Sequence, residues 1–95
     1  MGRRSLAEKI YMRVEEDHEE EKGTWLVLYD FKGMKPSTKF WNNMRRVMDL
    51  VDGGSLIQYS VFRTESKRGA VTVLRLAKHY GAEAILYRAE RMNLE

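Results

Sequence analysis

Thr24-Trp25-Leu26-Val27-Leu28-Tyr29-Asp30-Phe31 is an almost continuous apolar run with a single acid near its end. Strands covered on both faces read this way, whereas a strand with one wet face alternates between apolar and polar residues. The run therefore predicts a central strand buried on both faces, and the flanking punctuation sets what surrounds it. Lys32 to Pro36 form a loop, and Ser37 or Thr38 can cap a helix. Phe40, Met44, Val47 and Val51 mark one face of that helix, which stops at Gly53-Gly54. Ser55 to Thr64 form a second strand region, long enough to bend or fold back as a hairpin. Ser66 can cap a second helix, with Ala70, Val73, Leu74, Ala77 and Tyr80 as its buried stripe and Gly81 as its stop. Ala84 to Ala89 supply the last strand.

Upstream of the run, Ser5-Leu6-Ala7-Glu8 reads as a capping box, and Leu6, Ile10 and Val14 repeat at helical spacing. Ile10, Met12 and Val14 also alternate at strand spacing, so a pairing strand is the other reading. Glu15 to Glu21, broken only by His18, is a solvated helix end or loop. The chain thus divides into a charged N-terminal extension, residues 1–23, and a domain, residues 24–95. Strand, helix, strand or hairpin, helix, strand is the split βαβ pattern: an α+β, ferredoxin-like βαββαβ sandwich, its antiparallel sheet covered on one face by two helices.

With 95 residues and 11.2 kDa, the chain has one core and an expected folded surface of about 5,700 Å². No apolar run approaches the roughly 20 residues of a membrane span, and no continuous apolar stretch follows Arg3 and Arg4, so a cytoplasmic location is expected. The absence of Cys excludes disulfides and thiolate zinc sites. Residues 1–23 carry five Lys or Arg against seven Asp or Glu, a net −2, and residues 24–95 carry twelve against seven, a net +5. An acidic leader precedes a basic body, and a basic body suits a polyanion through phosphate neutralisation.

Asp30 places a carboxylate at the rim of the most apolar strand, where lost hydration is replaced by a metal, a cation or backbone donors. Capping of the following loop is the plainer reading. Magnesium commonly takes one or two carboxylates plus phosphate oxygens. The remaining acids are scattered, so a second carboxylate would come from the mate of Asp30 across a twofold axis. His18 and His79 stand alone and do not make a zinc site.

Tyr29-Asp30 at the end of the first strand, Gln58-Tyr59-Ser60-Val61-Phe62 in the hairpin region and Ile85-Leu86-Tyr87-Arg88 in the last strand resemble, in order and spacing, three landmarks of the CRISPR-associated Cas-two family. The resemblance spans about residues 24 to 90. It implies a small ferredoxin-like homodimer that partners a Cas-one integrase in spacer capture for antiviral defence. It also implies that Asp30 from both subunits could hold Mg2+ or another divalent ion for endonuclease activity, with Tyr29, Gln58, Ser60 and Phe62 as motif residues. The leader of some 23 residues, and Arg63-Thr64 where Glu-Gly is common, depart from the family pattern. Glu90 to Glu95 offer an edge strand to a partner subunit. A toxin ribonuclease of the virulence-associated protein D type is the related alternative, and a module that binds protein through a sheet edge or the acidic leader is the unrelated one.

Lys39, Arg45 and Arg46 lie on or beside the first helix of the body, and Arg68, Arg75 and His79 follow on the second, opposite its apolar stripe. Ion-pair rivals are few on these helices. Repeated by a twofold axis, the five Lys and Arg residues would form a basic surface able to track duplex DNA or RNA without reading sequence. An ordinary solvated face is the plain alternative. The acidic leader could fold over this surface and inhibit it. Trp25, Phe40, Trp41 and Phe62 read most simply as core.

Overall fold

A serine hydroxyl starts each of the three helices found in the computed structural model, which describes residues 4–17, 22–51, 54–58, 60–90 and 92–94. Ser5 Oγ accepts the Glu8 N–H at 3.1 Å at the head of α1, Leu6–Asp17. Ser37 Oγ accepts from Phe40 N at 3.1 Å at the head of α2, Thr38–Leu50, and Ser66 Oγ from Gly69 N at 3.0 Å at the head of α3, Lys67–His79. Each cap satisfies an N–H that the helix itself leaves without a partner. The leader is therefore helical, and the strand reading of Ile10 to Val14 falls. Its capping box is only half made, because the Glu8 carboxylate takes the Ser5 hydroxyl at 3.3 Å and the Arg46 Nε at 2.9 Å.

At the far end of α3, Gly81 adopts φ +95°, which a side chain would strain. Gly81 N–H donates to Lys78 O and Ala82 N–H to Ala77 O, at 3.1 and 3.0 Å, the paired bonds of a glycine C-cap. By contrast, α2 ends before its expected glycines, with Val51 already extended at φ −108°. Gly54 is needed for packing: a Cβ there would come within 2.7 Å of the Phe62 ring.

The described residues also form four strands: β1, Lys22–Asp30; β2, Ser55–Gln58; β3, Val61–Ser66; and β4, Glu83–Ala89. They pair antiparallel in the order β2-β3-β1-β4, so the fold is the ferredoxin-like α+β arrangement with β1 at its centre. The hairpin reading of Ser55 to Thr64 holds, with an irregular register between Leu56 and Gln58.

Alternation along β1 sends Trp25, Val27 and Tyr29 into the core beneath α2 and α3, together with Phe62 and Thr64 of β3. The opposite face is uncovered. Leu28 is 38% exposed, Ile85 54% and Tyr87 50%, so β1 is not buried on both faces as its apolar run suggests. The run is continuous because the open face is itself apolar: the registers line up Val61, Leu28 and Ile85 in one row, and Arg63, Leu26 and Tyr87 in the next.

Helix α3 shows the opposite departure. Ala70, Val73 and Ala77 are buried as expected, but so are Val71, Thr72 and Leu76, while Leu74 and Tyr80 are half-buried. The reason is α1, which packs against both α2 and α3 and buries its own Ala7 and Val14 completely. Asn43 joins the helices, accepting the Ala7 N–H at 2.9 Å and donating to the Tyr80 hydroxyl at 3.2 Å. No described helix is long and apolar enough to cross a membrane.

Candidate nucleic-acid interface

Two of the sequence landmarks meet through the backbone. Tyr29 N–H donates to Ser60 O at 3.1 Å, which ties the turn between β2 and β3 to the end of β1. Around this junction lies an open depression of about 820 Å³, whose lining includes Leu28, Asp30, Ser60, Val61, Lys78 and Ile85. Tyr29 itself points into the core, 4% exposed, with its ring 5.5 Å from that of Phe40 and 6.2 Å from that of Phe31. Burial pushes its hydroxyl pKa up to about 12, so it stays neutral at physiological pH. Phe62 is wholly buried core, whereas Gln58 is exposed on β2. Tyr59 and His18 lie outside the described residues. His79 is exposed at the end of α3, its ring edge-on to Tyr80 at 5.0 Å.

Asp30 caps its own loop. Its Oδ1 accepts the Lys32 N–H at 2.8 Å, and the chain then turns through Lys32 at φ +56° and Gly33 at φ +82°. An Asp two residues ahead of the N–H it accepts makes such a turn locally. The acids near it are not scattered, as the sequence reading had them: β4 begins at Glu83, one residue earlier than expected, and its register sets Glu83 directly opposite Asp30. Like charges in that position repel, and Lys32 answers them, with Nζ 3.1 Å from Glu83 Oε2. The Glu83 carboxylate, with Asp30 nearby, raises the pKa of Lys32. Among the described residues no group of three or more His, Asp or Glu gathers in metal-binding proximity. The donor set at this rim is thus two carboxylates, one of them already paired with the Lys32 ammonium. With Glu83 already paired, these residues do not on their own fit a divalent ion.

The basic side chains divide into two groups. Lys39 and Arg45 are exposed on α2, Arg45 Nη1 donating to Asn42 Oδ1 at 3.2 Å. Arg46 and Arg68 instead hold α1. Arg46 Nε lies 2.9 Å from Glu8 Oε1, and Arg68 Nε donates to the Tyr11 carbonyl at 2.8 Å with its guanidinium 3.5 Å over the Tyr11 ring. Arg75 is half-buried on α3. The expected surface of five cations is therefore not presented as one open face, and of the few ion-pair rivals the leader supplies one, Glu8. Sequence spacing places residues on a helix face but does not say that another helix will lie across it.

The Arg46 guanidinium holds the Glu8 carboxyl below its ordinary value of 4.5. A carboxylate whose folded pKa is depressed stabilises the fold above its unfolded value, and that contribution is lost as pH falls through the folded value. Amide hydrogen exchange in α1, corrected for intrinsic rates, is therefore expected to accelerate relative to β1 when pH drops from neutral to below 4.5. Unchanged relative protection would show that the ion pair does not hold the helix.

Compared with protein-family models, with curated proteins and with solved structures, the chain finds no match.

Proposed function

We infer that the chain is a Cas-two-like homodimer that binds nucleic acid through its phosphate backbone, as a scaffold for duplex DNA in spacer integration beside a Cas-one integrase. The observation that carries the dimer is the open apolar face of the sheet. Val61, Leu28, Ile85, Leu26 and Tyr87 form two rows across three strands, with charge at their borders from Asp30, Glu83 and Arg63. Pairing two such faces would remove these apolar side chains from water. Support for the ligand is the +5 charge of residues 24–95 and the exposure of Lys39 and Arg45 on α2. Sequence-independent backbone contact needs no more than cations placed along a surface.

Neutralised phosphates set the salt dependence. Lys39→Ala and Arg45→Ala are each expected to weaken duplex binding and to reduce the slope of log affinity against log salt by about 0.9 per subunit. Fluorescence anisotropy over a salt series reads both quantities. An unchanged slope in both variants would remove α2 from the interface. Tighter binding of RNA with strand cleavage would favour the toxin-ribonuclease alternative, and no nucleic-acid binding would leave a protein-interaction module.

A further inference from the structure

We propose that α1 is a built-in cover for part of the phosphate-binding surface, withholding Arg46 and Arg68 until it lifts; this rests on the nucleic-acid reading above. Both guanidiniums are engaged by oxygen atoms of α1, the Glu8 carboxylate at 2.9 Å and the Tyr11 carbonyl at 2.8 Å. Phosphate oxygens accept from the same donors, and a guanidinium fork matches them well. The cover therefore holds these arginines in the way a nucleic-acid backbone would.

Its anchorage is light where the charges are. The Arg46 and Glu8 side chains are 44% and 25% exposed, so water and salt screen their attraction. The last turn of α1 carries no basic residue, and its sequence ends Glu15-Glu16-Asp17, acids that add to the negative end of the helix dipole. Ala7 and Val14 are fully buried, so lifting exposes apolar surface, and phosphate contacts to the released arginines must offset that cost. Once it has lifted, two further guanidiniums per subunit would join Lys39 and Arg45.

The test uses the full chain and a fluorescent duplex DNA, titrated at several salt concentrations. Glu8→Gln weakens the ion pair while keeping the size of the side chain, and Glu90→Gln makes the same change of charge outside α1 and its ion pair with Arg46. Glu8→Gln is expected to bind about two- to fivefold tighter than the parent, the range an exposed ion pair spans, with a salt slope steeper by about 0.9 per subunit. Glu90→Gln is expected to do neither. If the parent binds and Glu8→Gln gains no more than Glu90→Gln, the cover is refuted and the binding reading stands. If none of the three binds at low salt, both fall together.

Discussion

If the proposed dimer forms through the open sheet face, Ile85→Asp is expected to leave a folded monomer, weakening self-association at least a thousandfold, or about 4 kcal/mol. Ile85 sits on the open face of β4 opposite Leu28, with Val61 next along the row. Pairing two such faces removes these side chains from water, and a carboxylate placed among them must either lose its hydration or prevent the contact. The isolated subunit loses little, because Ile85 is 54% exposed there. Sedimentation equilibrium reads the association and urea denaturation checks the fold. If parent and variant sediment alike, the open face is not the contact between subunits.

Phe40→Ala should be the most damaging single truncation in the core, costing about 3–5 kcal/mol. A domain of this size has a total stability of roughly 5–14 kcal/mol, so the variant would be close to unfolding at ambient temperature. Phe40 is fully buried and stands amid four aromatic rings: Phe31 and Trp41 at 5.0 Å, Tyr29 at 5.5 Å and Tyr80 at 5.9 Å. It seats α2, and with it Lys39 and Arg45, on the sheet, while the Asn43 bonds carry that position on to α1 and Tyr80. Urea titration followed by tryptophan fluorescence measures the loss. A loss under about 1 kcal/mol would mean that the rings relax into the space, contrary to what such close packing implies.

What could be read from the sequence was local. Ser37, Ser66 and Gly81 punctuate helices through bonds within a few residues, so they are legible without the fold. Thr24 to Phe31 announced a central strand because its apolar run is also a local pattern, and the strand runs over Lys22–Asp30. Its second face was misread because an apolar residue opposite Leu28 looks the same whether the fold or another molecule covers it. Glu83 was missed as the neighbour of Asp30 because their 53-residue separation closes only through the β4 register. The signal was present in Gly81, which ends α3 two residues before Glu83. The contacts that Arg46 and Arg68 make with α1 were missed because helical periodicity cannot report a third helix packed across the other two. Each of these errors concerns what covers a face, which depends on contacts between distant segments.

The most direct measurement is an anisotropy titration of labelled duplex DNA with the full chain across a salt series, with and without magnesium, followed by a denaturing gel. Binding at low salt is expected, weakening steeply as salt rises, needing no magnesium and leaving the strands intact. Absence of duplex binding at low salt would contradict the nucleic-acid reading.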